Sequence, residues 1–76
     1  MAGTTTSQIL AEMVASVLTV AVSPGDHVDV GDTVMLLESM KMEIPVLTER
    51  GGVVHEVRVV AGDVVQEGDV LVVLAH

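Results

Sequence analysis

Gly25-Asp26-His27-Val28-Asp29-Val30-Gly31-Asp32 reads Gly-Asp-x-Val-x-x-Gly-Asp, and 37 positions later Gly62-Asp63-Val64-Val65-Gln66-Glu67-Gly68-Asp69 reads the same. The flanks agree as well: Val20 and Val22 match Val57 and Val59, and Leu37 matches Leu74. Gly-Asp turns recur by chance in valine-rich chains, but five identities in eight positions with matching flanks indicate a two-fold repeat. Two copies are too few for a solenoid, so the repeat predicts a single domain of two related halves.

Within each copy, short apolar runs alternate with turn residues. Valine, stiff at its β-branched side chain, favours strands over helices. The Gly-Asp pairs supply the positive φ and the local side-chain hydrogen bond that tight turns use. This reading places strands near 9–14, 17–22, 27–30, 33–38, 43–47, 53–60, 64–66 and 69–74, and no long helix. Val70-Leu71-Val72-Val73-Leu74 is apolar on both faces and belongs centrally in a sheet or under cover. His55-Glu56-Val57-Arg58-Val59 alternates, with Glu56 and Arg58 on the wet face. Short strands at regular spacing predict an all-β fold, a flattened β-barrel or sandwich of two antiparallel sheets. Residues 17–38 are expected to superpose on 54–75 by an approximate two-fold rotation. Val20, Val22, Leu36, Val57, Val59 and Val73 are the expected inward-facing side chains.

Composition narrows the function. The chain has 76 residues, half of them hydrophobic, with eighteen valines, no aromatic residue and no cysteine. A domain of this size buries roughly 60% of the surface its unfolded chain exposes. Its core is therefore aliphatic and has no disulfide to support it. A net charge of −8 and the lack of aromatic platforms argue against nucleic acid, which needs clustered Lys and Arg. The same charge suits a partner with a basic docking surface. Met1 to Gln8 is small and polar without a basic cluster, and the apolar stretch from Ile9 is broken by Glu12, short of a membrane span. Residues 1–8 read as a flexible lead, residues 9–76 as the domain, and the cytoplasm as its compartment. Met1 and that short lead suggest an independent chain.

Lys41 is the only lysine, in Glu38-Ser39-Met40-Lys41-Met42-Glu43. By the repeat, this stretch follows Leu37 as the end of the chain follows Leu74, which makes it a hairpin turn in mid-chain. Pro45, lacking an N–H, belongs on an edge strand or beside the turn. A lone turn lysine is ordinarily a solubilising charge. Two flanking methionines are out of place at such a tip, where polar residues are the usual choice, unless they tuck inward as core filler or frame the amine for an enzyme.

Met40-Lys41-Met42, preceded by Glu38 and followed by Glu43, Ile44 and Pro45, resembles the attachment motif of biotinyl domains. The resemblance runs from about Ile9 to Ala75 and takes in the repeat, the Gly-Asp turns and the central hairpin. Ser39 stands where that family usually has Ala. Val17 to Gly25 leaves no room for the protruding thumb of some acetyl-CoA carboxylase carriers, so the thumbless carriers are the nearer comparison. Related lipoyl domains share the fold but usually show Asp-Lys-Ala at the tip, where Met40 and Met42 flank the lysine here. The resemblance implies a barrel-sandwich hybrid of two four-stranded sheets with quasi-two-fold symmetry. It further implies biotin joined covalently to Lys41 by a biotin protein ligase, with Met40 and Met42 as the flanking recognition motif. Biotin carboxylase and carboxyltransferase are the implied partners of a carrier that is itself non-catalytic and monomeric when isolated. A lipoyl carrier and an unmodified acidic interaction module are the competing readings.

Other constellations carry little. His27, His55 and His76 have no local metal spacing and read as exposed turn, strand and terminal residues. Ser39 lacks obvious His and Asp partners for nucleophilic activation. Gly51-Gly52 reads as a turn, since no helix follows it to cradle a phosphate.

Overall fold

The computed structural model describes residues 5–76, which form β1 (Thr6–Leu10), β2 (Ala15–Val20), β3 (His27–Val28), β4 (Thr33–Ser39), β5 (Met42–Leu47), β6 (Gly52–Val57), β7 (Val64–Val65) and β8 (Val70–Ala75). Each expected strand has its counterpart, with shifted ends. The run expected at 9–14 lies at Thr6–Leu10, because at Ala11 the chain leaves the ladder. There Ala11 N–H donates to Asp69 O at 2.9 Å and Ala11 O accepts from Gly68 N–H at 2.9 Å. The strand expected to reach residue 60 ends at Val57. Of the expected lead over residues 1–8, residues 1–4 lie outside the described residues and Thr6–Gln8 run in β1. No helix among the described residues is long and apolar enough to cross a membrane.

Two antiparallel four-stranded sheets form, in the orders β1-β8-β6-β3 and β5-β4-β2-β7. They make a sandwich rather than a closed barrel. Adding 37 to the positions of β2 gives β6 and to those of β4 gives β8 with one residue more; adding 37 to β3 gives β7, and to β1 gives 43–47 of β5. The hydrogen bonds repeat with them. Gly25 N–H donates to Val54 O at 2.8 Å and Gly62 N–H to Val17 O at 2.8 Å; Ala21 N–H donates to Val34 O and Arg58 N–H to Leu71 O, both at 2.9 Å. Because β3 joins the sheet of β6 and β7 that of β2, each half supplies a strand to the other's sheet.

The repeated Gly-Asp pairs close four turns of one design. In each, the Asp N–H donates to the carbonyl three residues earlier (Ser23, Asp29, Val60 and Gln66) at 3.0–3.1 Å. The carboxylate of Asp26, Asp32, Asp63 or Asp69 accepts that same residue's N–H at 2.8–3.0 Å. The preceding glycine has φ between 91° and 97° and is the only one of the two central residues with positive φ, the pattern of a type II turn.

The core is Val17, Val28, Val34, Met35, Leu37, Val54, Val65, Leu71, Val72 and Leu74 with Ala11 and Ala15. This corrects the expected inward set. Val20, Val22, Val57 and Val59 are only partly buried and pack around the core's margin. Leu36 and Val73, equivalent across the repeat, are half-buried, while Met35, Leu37, Val72 and Leu74 fill the interior. In runs apolar at every position, alternation cannot select a face, and register shifts within the β4–β5 and β6–β8 ladders move it further. The two-sided strand β8 does lie centrally, between β1 and β6, and Pro45 does sit on the edge strand β5. Glu56 and Arg58 share the wet face, 3.7 Å apart.

Candidate functional site

β4 and β5 pair from Thr33↔Leu47 up to Ser39↔Met42, leaving Met40 and Lys41 as a two-residue loop. Both have positive φ, 54° and 66°. That is the type I′ geometry whose twist matches a hairpin, and which Asn-Gly or Gly-Gly normally supplies. In L-residues it brings Cβ close to the following carbonyl oxygen, a cost of roughly 1–2 kcal/mol per residue. The ladder behind the turn fixes its ends and imposes the conformation. Among the described residues these are the only two non-glycine residues with positive φ.

Lys41 is exposed and, among the described residues, enters no ion pair. Met40 is 92% exposed and Met42 63%, whereas Met35 is fully buried in the core. The core-filler reading of Met40 and Met42 therefore fails, and both methionines stand in water on either side of the amine. Behind them Glu38 and Glu43 face each other directly across the ladder, both exposed. Like charges so placed disfavour the hairpin slightly. The sequence shows two acids flanking the motif, but their juxtaposition depends on the two-residue loop and emerges only from the register.

The opposite end of the repeat completes the geometry. Ser39 and Met42 correspond to His76 and Thr5, and His76 N–H donates to Thr5 O at 2.8 Å. The hairpin is thus the covalently closed copy of a pair that, at the other end, joins the two ends of the domain. There the His76 ring bridges Ser7 Oγ at 2.7 Å and Gly51 O at 2.9 Å. His27 and His55 are exposed. Among the described residues no three His, Asp or Glu side chains converge on a metal position.

A cleft of about 730 Å³ opens between β1 and β5, walled by Ile9, Leu10, Ile44 and Val46 and floored by Leu37 and Leu74. None of Met40, Lys41 or Met42 lines it. The hairpin tip stands apart from this cleft.

The chain is similar to known proteins over nearly its whole length. The profile of a family described as "Biotin-requiring enzyme" matches residues 5–74. The biotinylated protein TB7.3 homolog of Mycobacterium leprae is 55% identical over 67 residues, 88% of this chain and 94% of that one. A single-chain, multi-domain long-chain acyl-CoA carboxylase superposes with a TM-score of 0.87 at 28% identity, over 93% of this chain and 7% of that one. The lipoyl domain of the 2-oxoglutarate dehydrogenase complex from Azotobacter vinelandii superposes with a TM-score of 0.69 at 26% identity, over 99% of this chain and 96% of that one.

Proposed function

Since the chain belongs to the biotin/lipoyl attachment family, we propose that it is a biotin carboxyl carrier whose acceptor is Lys41. The observation that carries this reading is the placement of the chain's only lysine at the tip of a strained two-residue turn, exposed and, among the described residues, without an ionic partner. A primary amine there fits amide formation with a carboxylate, and the closed hairpin gives it a fixed base. Biotin attached at this position supplies a ring that takes up and releases a carboxyl group. The chain's own contribution is mechanical and electrostatic. β4 and β5 hold the Lys41 backbone at the end of a rigid sandwich, and Met40 and Met42 offer apolar surface beside the amine for a biotin protein ligase to recognise.

Acylation removes one of only three cationic side chains and leaves the acidic character of the tip unopposed. A biotin carboxylase and a carboxyltransferase are the partners this arrangement serves, with catalysis residing in them and positioning in the carrier. Tethering raises the effective concentration of the carried group at each active site, on the order of millimolar for a short flexible linkage. The names of the relatives and the methionines at the tip favour biotin over lipoate, whose domains share the fold.

Purified holo-protein, incubated with a biotin carboxylase, ATP and labelled bicarbonate, should acquire label, and the unmodified protein should not. Equal labelling of both forms, or carboxylation by the isolated chain, would overturn the carrier role.

A further inference from the structure

The described methionines divide by exposure: Met35 is fully buried, Met13 is 37% exposed, Met42 63% and Met40 92%. The two most exposed are the two that flank Lys41. The chain has no cysteine to compete for an oxidant and no aromatic ring to shelter a thioether. Access and chemistry coincide here: a thioether in water reacts with peroxide, and one in a packed core does so only when the core opens.

We propose that Met40 and Met42 form a reversible oxidation site, taking a hydroperoxide as oxidant, whose oxidised form blocks acylation of Lys41. The inference rests on the reading of Lys41 as the acceptor. In the forward step a lone pair of Sδ attacks one peroxide oxygen. The S–O bond forms, the O–O bond breaks, and the departing oxygen takes the proton of the transferred one, leaving as water from hydrogen peroxide or as an alcohol from an organic hydroperoxide. Sulfur gives up two electrons and the peroxide gains them. In the reverse step a thiol-dependent sulfoxide reductase returns the thioether, two thiols becoming a disulfide and the oxygen leaving as water.

Oxidation changes the tip and spares the fold, because neither side chain belongs to the core. A sulfoxide replaces apolar surface with a strong acceptor on each side of the amine. An enzyme pocket that fits the apolar pair must then desolvate that acceptor without offering a donor. One such unsatisfied group slows acylation by about tenfold.

The test uses the unmodified protein and hydrogen peroxide. Peptide mapping over time should show Met40 and Met42 converted to sulfoxide on the order of tenfold faster than Met35, with the melting temperature unchanged. Ligase-driven biotin incorporation should then fall by about tenfold relative to untreated protein and return after reductase treatment. In the Met40→Leu/Met42→Leu variant, peroxide should leave the rate where it started, whatever that starting rate is. Equal rates before and after oxidation, or equal oxidation of Met35, would overturn the proposal while leaving Lys41 the acceptor. Untreated protein that accepts no biotin would overturn both.

Discussion

Four turns of this domain put glycine where the backbone needs positive φ, at 91° to 97°, and one puts methionine and lysine there, at 54° and 66°. The four are copies, each closed by an aspartate that bonds back to the turn's first residue. They connect strands without steric cost, since glycine has no Cβ to collide. The fifth lacks both devices. It stands because Ser39↔Met42 and Glu38↔Glu43 pair behind it. Among the described residues, non-glycine strain of this kind is confined to one turn, the one that carries the proposed acceptor.

The sharpest way to break the contrast is Lys41→Arg. Both side chains are solvated cations at the same turn, so the melting temperature should not move, while biotin incorporation should vanish because a guanidinium does not form the amide. Streptavidin detection of the Arg variant after a ligase reaction would show the wrong residue had been chosen.

Next in size are the glycine turns. Gly31→Ala and Gly68→Ala meet open space, so their cost is backbone strain alone. Each should destabilise by about 1–2 kcal/mol, a fall of about 4–8 °C in melting temperature per kcal/mol. The two values should agree, as their turns are equivalent. A large difference between them in thermal unfolding would show that the halves are not energetically alike.

Relief of strain at the tip should have a smaller effect, of opposite sign. Met40→Asn places a residue that tolerates positive φ at the first central position and should stabilise by about 0.5–1 kcal/mol. The same variant should be a poorer ligase substrate, which separates what the turn costs from what its side chain recognises.

Met42→Ala should have the least effect on stability, within about 0.5 kcal/mol, as for an exposed side chain. A loss of several kcal/mol, in the ~2–5 range of a buried Met→Ala change, would mean Met42 packs as core after all.

The repeat made most of this architecture legible in advance. Gly25-Asp26 and Gly62-Asp63 located the turns, and the turns located the strands. What the sequence left open were choices settled by register. Leu36 and Val73 were the expected inward side chains, yet Leu37 and Leu74 fill the interior, because every neighbour of Leu36 and Val73 is apolar and the period of two has nothing to mark its phase. The stretch 9–14, apolar but for Glu12, looked like one strand, yet at Ala11 its backbone bonds across to Gly68 and Asp69 instead. At the candidate site, Lys41 and its methionines were visible as a motif. The facing pair Glu38 and Glu43 and the positive φ of Met40 and Lys41 were not, since both follow from the two-residue loop.

Mass analysis of the protein purified from its own cells decides whether Lys41 is the biotin acceptor. Intact mass and peptide mapping should find a single biotinyl group on the peptide that contains Lys41. A lipoyl group there, biotin on another residue, or no addition to Lys41 at all would show that Lys41 is not a biotin acceptor.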